Sequence, residues 1–170
     1  MDSLKNALET ALDMEHSGYS LYMQAAKSTS NLLGKSTLEA IAAKELDHIK
    51  AIETFAKNNL DKAIVAINPK SKKDYIQPIM KKLEKALHEK ISPDSDLDQA
   101  YRVALELEKN SFEFYKNLKE KSGDVKAKKF FEFLMGEENT HYEILKESLE
   151  YLNHPGNWYR EQERWVVEGG

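Results

Sequence analysis

Cysteine is absent from the 170 residues of the chain. Its absence excludes disulfides, thiolate catalysis, thiolate zinc sites and cysteine-ligated iron–sulfur clusters, so any metal must be bound through oxygen and nitrogen. Proline and glycine are scarce, at 4 and 7 residues, whereas apolar and charged residues make up 41% and 32% of the chain. This composition is typical of a soluble, helix-rich globule and excludes disordered and fibrous classes.

Long hydrophobic runs and an excess of basic residues are also missing. No stretch reaches ~18 apolar residues and no charged-then-apolar leader opens the sequence, so we expect neither a membrane span nor a signal peptide. The net charge is −4, with Lys and Glu interspersed, which gives no reason to expect nucleic acid or an anionic membrane as a partner. We therefore expect a cytoplasmic protein with a single core.

What the sequence does contain is an internal duplication. A Glu-x-x-His pattern at residues 45–48 returns 93 positions later at residues 138–141, and a lone glutamate, Glu15 or Glu108, stands 30 residues before each copy. Solenoid repeats recur every ~20–50 residues, so this longer period indicates two copies of a helix pair.

Helical periodicity predicts four long helices. They should run from about residue 3 to 27, 36 to 58, 95 to 121 and 124 to 153. We expect Ser3 to cap the first helix, and Ser36 with Glu39 to form the capping box that opens the second.

These helices predict one all-α domain, a four-helix bundle over residues 1–156. The link over residues 60–93 is far longer than the ~2–8 residues that join adjacent antiparallel helices, so it predicts a crossover between helices 2 and 3. Residues 157–170 include Trp158, Tyr159 and Trp165. We expect this aromatic tail to pack on the bundle.

Six residues of the duplicated pattern occupy apolar-stripe positions, where their side chains should be buried. They are Glu15, Glu45, His48, Glu108, Glu138 and His141. Unpaired carboxylates there would cost several kcal/mol and repel one another. Because four carboxylates carry −4 and two divalent ions carry +4, the charges favour a dinuclear centre. Such oxygen and nitrogen ligands suit two iron ions, or alternatively two manganese ions, better than structural zinc, although zinc also binds them.

Two tyrosines, Tyr22 and Tyr115, each follow a lone glutamate by two helical turns. They are either core aromatics or hydrogen-bond donors to ligand carboxylates, and the sequence leaves both roles open. The remaining histidines, His16, His88 and His154, have no duplicated partner and are expected at the surface.

With these residues the chain resembles the ferritin-like diiron-carboxylate proteins, and within them the rubrerythrin-like group, over about residues 3–153. The resemblance implies a ferritin-like bundle with a dimetal site in its middle. It further implies these roles: Glu45 and Glu138 bridge the ions, Glu15 and Glu108 are terminal carboxylates, and His48 and His141 each hold one ion.

Two departures from typical rubrerythrins bear on function. Ser111 stands where they carry an extra glutamate, and a cysteine-rich rubredoxin module is excluded by the absence of cysteine.

The resemblance implies a homodimeric diiron oxidoreductase that reduces peroxide or dioxygen with electrons from an external donor protein or Fe(II). The alternatives are a ferritin-like iron-binding or storage protein with ferroxidase activity, a manganese catalase-like protein, and a bundle with a vestigial site that serves as an interaction scaffold.

Overall fold

The computed structural model describes residues 2–57 and 95–154, and in these ranges the chain forms four long helices and no strand. In chain order they are α1 (Asp2–Ser28), α2 (Leu32–Ala56), α3 (Ser95–Lys121) and α4 (Val125–Asn153). The predicted all-α four-helix bundle is confirmed. None of the described helices is long and apolar enough to cross a bilayer. The expected crossover at 60–93 and tail at 157–170 lie outside the described residues.

The four helices associate as two hairpins. The most extensive packing is between α1 and α2 and between α3 and α4, while α1 also touches α3 and α2 touches α4. Residues 29–31 and 122–124 connect the helices of each hairpin, a length that suits antiparallel neighbours. Each copy of the sequence duplication is therefore one hairpin, and the two hairpins face each other.

The start of α2 differs from the prediction. The capping box expected at Ser36 is wrong, because α2 begins at Leu32 with Asn31 as its N-cap, whose side chain accepts a hydrogen bond from the Gly34 amide at 2.9 Å. Asparagine is as good a cap as serine, and the earlier start adds the burial of Leu33. Ser36 instead lies buried within the helix.

The other helix boundaries agree with the prediction to within a residue or two. α1 begins at Asp2, so Ser3 lies inside the helix rather than capping it. α3 spans the expected residues, and α4 opens at the N-cap Asp124, whose carboxylate accepts from the amides of Lys126 and Ala127. Caps of this kind satisfy amides that have no partner within the helix.

The core consists of two large apolar clusters and a small third one formed by Leu33 and Tyr151. The first is formed by Leu8, Ala11, Ala51, Ile52, Phe55, Tyr115, Ala127, Phe130, Phe131 and Leu134. The second is formed by Tyr22, Ala26, Leu38, Ile41, Ala42, Leu97, Tyr101, Ala104, Ile144 and Leu145. In every helix, the residues predicted to bind metal fall between the stretches that enter the two clusters. The bundle thus encloses a polar layer between two apolar ones.

Candidate metal centre

The structure brings all six sequence-predicted metal ligands together in this polar layer. Each helix contributes one or two of them, because the 3.6-residue period keeps a helix's inward-facing positions on one stripe. Each of the six residues is at most 3% exposed, and both histidines are completely buried. Charged side chains are almost never this buried unless they are paired or bind a cation.

The side chains form two overlapping groups whose ligand atoms lie within 4.8 Å of one another. One group is Glu15, Glu45 and His48, and the other is Glu45, Glu108 and His141. Glu45 belongs to both. Its Oε2 lies 3.6 Å from Nδ1 of His48, and its Oε1 lies 3.4 Å from Nδ1 of His141. One carboxylate therefore directs an oxygen at each half of the site, as a bridging ligand does.

The remaining contacts also converge on the Nδ1 atoms of the two imidazoles. Nδ1 of His48 lies 3.1 Å from Oε2 of Glu15 and 3.3 Å from Oε1 of Glu138. Nδ1 of His141 lies 3.6 Å from Oε2 of Glu108. The two rings stack with centroids 5.2 Å apart. Glu138 on α4 thus reaches His48 on α2, while Glu45 on α2 reaches His141 on α4.

Two tyrosines reach across between the hairpins and bind the carboxylates of Glu108 and Glu15. Tyr22 donates its hydroxyl proton to Oε1 of Glu108, and Tyr115 donates to Oε1 of Glu15. Burial, followed by the charge of the accepting glutamate, raises the pKa of each tyrosine well above its ordinary value, so both remain protonated donors. Each hydrogen bond fixes the orientation of one carboxylate and links α1 to α3.

The ionisable groups are strongly perturbed in pairs. Burial opposes the ionisation of Glu15, but the neighbouring His48 charge and several hydrogen bonds outweigh it and lower the pKa of this carboxyl to about 2. Burial opposes the charge of His48 as well, but Glu15 and other carboxylates raise its pKa well above the usual range. In the same way, the pKa of Glu108 is lowered and the pKa of His141 is raised to about 9. Each half contains one carboxylate–imidazolium pair.

The pKa values of the two other carboxyls, Glu45 and Glu138, are raised. Burial and then the charge of Glu15 raise the pKa of Glu45 to about 7. Burial, followed by the charges of Glu15 and Glu108, raises the pKa of Glu138 well above its ordinary value. Without metal, the raised pKa values favour protons on both imidazoles and on these two carboxyls, which offsets the charge of Glu15 and Glu108. Two divalent cations would replace about four protons, so the donor set fits a dinuclear centre.

Sequence reasoning missed Glu137, which is 4% exposed. A ligand atom of Glu137 lies within 4.8 Å of ring nitrogens of both His48 and His141, and its Oε2 is 3.9 Å from Nε2 of His48. Glu137 precedes a predicted ligand and lies one residue off the apolar stripe. The duplication gave no signal for it, because the corresponding residue is Lys44, and only the structure shows that Lys44 is buried as well.

The structure also places the residues that sequence reasoning set apart from the site. His16 and His154 are exposed, as expected, and His88 lies outside the described residues. Ser111 is 7% exposed on α3, one turn after Glu108, so a small hydroxyl occupies the position where typical rubrerythrins carry an extra carboxylate.

The fold and the site together define a class of protein. A helical bundle that directs one glutamate from each of two helices and a Glu-x-x-His pair from each of the other two into its centre is the arrangement of the ferritin-like diiron-carboxylate proteins. The chain matches the rubrerythrin family over residues 6–149 and belongs to that family. Searches of curated proteins and of solved structures gave no match to this chain.

Proposed function

We propose that this protein is a diiron-carboxylate oxidoreductase that reduces peroxide or dioxygen. The observation that carries the proposal is that three further buried carboxylates and two buried imidazoles lie together with Glu45, which faces both halves of the site. Two ferrous ions in such a site would supply the two electrons that, with two protons, reduce hydrogen peroxide to two waters.

The residues around the centre suit this chemistry. The two apolar clusters flank the polar layer on both sides and exclude bulk water from it, which strengthens electrostatic interactions within the site. Tyr22 and Tyr115 hold the terminal carboxylates in place. Glu45, Glu138, His48 and His141 give up protons when cations bind, so the same ligand set balances its charge with and without metal.

Electrons must reach the centre from outside the chain. With no cysteine, this chain cannot hold a rubredoxin-type iron–thiolate group. We propose a separate electron-donor protein, or Fe(II) itself, as the source, and a homodimer as the assembly. Iron is the proposed metal because all the ligands are oxygen and nitrogen atoms, with manganese as the alternative.

A second candidate, ferroxidase activity with iron storage, is favoured by one observation. Ser111 on α3 offers no carboxylate beside Glu108, which leaves a six-ligand set of the bacterioferritin type. This set lacks the movable seventh carboxylate that the resemblance to rubrerythrins would associate with peroxide reduction.

A comparison of oxidants tests the proposal. Metal-free protein is loaded anaerobically with two Fe(II) per chain and mixed separately with peroxide and with dioxygen, while the near-ultraviolet absorbance of the ferric pair is followed. We expect fast oxidation by peroxide and slower oxidation by dioxygen, and neither signal in a Glu45→Ala variant treated identically. Faster reaction with dioxygen, with many further Fe(II) oxidised and retained per chain, would instead assign the protein to iron storage. Peroxide disproportionation by Mn(II)-loaded protein alone would indicate a catalase.

A further inference from the structure

Three buried hydroxyl groups lie together at one end of the bundle. Oγ1 of Thr37 on α2 and Oγ of Ser148 on α4 are 3.2 Å apart, and the hydroxyl of Tyr101 on α3 lies beside them. Thr37 and Tyr101 are completely buried, and Ser148 is 9% exposed. Burial raises the pKa of Tyr101 to about 12, so its hydroxyl keeps its proton. We call these three residues, one from each of three helices, the hydroxyl cluster.

Hydroxyls on helices often bond to their own backbone, as those of Thr54 and Thr140 do. Thr37 and Ser148 instead pair across two helices. Each hydroxyl has one proton and two lone pairs, so three hydroxyls form at most three hydrogen bonds among themselves and keep at least three lone pairs. The hydroxyl cluster can therefore accept hydrogen bonds from a further small molecule.

The duplication places apolar side chains at all three corresponding positions of the other end. The residues 93 positions from Thr37, Tyr101 and Ser148 are Phe130, Leu8 and Phe55. All three belong to the first apolar cluster, in which the rings of Phe55 and Phe130 stack with centroids 4.3 Å apart. These side chains offer no hydrogen bond. The two ends of the bundle therefore differ in polarity at this layer.

The hydroxyl cluster lies two helical turns from the metal centre. Tyr101 precedes Glu108 by seven residues, and Ser148 follows His141 by seven residues. At about 1.5 Å per residue, the separation along the helices is about 10 Å. The hydroxyl cluster thus lies between the centre and the end of the bundle at which α2 and α3 begin.

We propose that Thr37, Tyr101 and Ser148 bind one small neutral molecule with O–H groups: water in the resting protein, and hydrogen peroxide on its way to the metal centre. Three hydroxyls supply the about two to four polar partners that a buried water requires. Peroxide has the same O–H donors and oxygen lone pairs as water, whereas dioxygen has no proton to donate. The hydroxyl cluster therefore favours the entry of peroxide over that of dioxygen. This inference rests on the proposed function and adds an entry site for its oxidant.

Oxygen-17 magnetic relaxation dispersion, which counts long-lived water molecules in a protein, tests the binding site without metal. Metal-free protein should hold one more such water than the Thr37→Val/Ser148→Ala double variant, which keeps only the Tyr101 hydroxyl of the cluster. Thr54→Val, which removes a hydroxyl bonded to its own helix, should leave the count unchanged. Equal counts in the unmodified protein and the double variant would overturn the proposal.

Oxidation kinetics test the route of peroxide. Loaded with two Fe(II) per chain, the double variant should react with peroxide about 5–100-fold more slowly than the unmodified protein, because each lost hydrogen bond accounts for about 2–10-fold. Its reaction with dioxygen should change by less than about twofold, and Thr54→Val should change neither rate. Equal slowing with both oxidants, or no slowing with peroxide, would overturn the route. Unmodified protein that does not react with peroxide would overturn the proposed function, and the water count would then decide on the binding site alone.

Tyr101→Phe covers the case in which the double variant fails to fold, since it keeps the ring and removes only the hydroxyl. The reaction with peroxide should slow about 2–10-fold, and the reaction with dioxygen should not change. An unchanged rate with peroxide would contradict the proposal.

Discussion

The hydrogen bonds that cross between the hairpins allow a sharp test of how the site is built. Tyr22→Phe or Tyr115→Phe removes only a hydroxyl group, but each change leaves one oxygen, Oε1, of a buried carboxylate without the hydroxyl that donates to it. A hydrogen bond to a charged group contributes about 1.5–3 kcal/mol. At about 2–4 °C per kcal/mol for a chain of this size, the melting temperature of the metal-free protein should fall by about 3–12 °C in either variant.

Tyr101→Phe is the matched control for this prediction. Tyr101 is equally buried, but its hydroxyl lies beside the neutral hydroxyls of Thr37 and Ser148 and not beside a carboxylate. A hydrogen bond between neutral groups contributes only about 0.5–1.5 kcal/mol, so the loss of this hydroxyl should cost less stability than the loss of either of the other two. Thermal unfolding followed by circular dichroism measures all three variants. If the Tyr22 and Tyr115 variants lose no more stability than the Tyr101 variant, the hydrogen bonds to the two carboxylates do not stabilise the bundle.

Three further predictions concern metal binding, pH and the core. Glu45→Ala or Glu138→Ala should abolish dinuclear binding, whereas His154→Ala, at an exposed helix end, should have no effect. Equal metal loss in all three variants, measured by elemental analysis, would show that the metal site does not lie on the helix faces that carry Glu45 and Glu138. The pKa values of Glu45 and His141 are raised to about 7 and about 9, so the stability that each protonated group contributes is lost as pH rises through these values. The urea midpoint of the metal-free protein should therefore fall between pH 6 and 9. A urea midpoint that stays constant over this range would contradict this prediction. Phe130→Ala empties a fully buried position and should lower the free energy of unfolding by about 3–5 kcal/mol; a loss below about 1 kcal/mol in urea titrations would show that the first apolar cluster is not close-packed.

The four helices and the burial of the six residues predicted to bind metal followed from helical periodicity. Glu45 and His48 lie three residues apart on an apolar stripe, and burying that stripe necessarily directs both side chains inward. The duplication then supplied the second half. The start of α2 could not be decided in this way, because Asn31 and Ser36 are both good caps and the choice depends on tertiary burial of Leu33.

Contacts between the hairpins were less accessible to sequence reasoning. Tyr22 follows Glu15 by two turns of the same helix, yet it donates to Glu108 on α3. Glu137 lies one residue off the apolar stripe and is buried in the bundle near His48 on α2. Both features depend on how the two hairpins face each other, which a period within one helix does not specify.

The number of metal ions bound per chain decides whether these carboxylates hold a dinuclear centre. Metal-free protein is incubated anaerobically with excess Fe(II), freed of unbound ions and submitted to elemental analysis beside the Glu45→Ala/Glu138→Ala double variant. We expect about two iron ions per chain in the unmodified protein and about none in the double variant. One ion or fewer in the unmodified protein, or the same number in both proteins, would contradict a dinuclear centre held by these carboxylates.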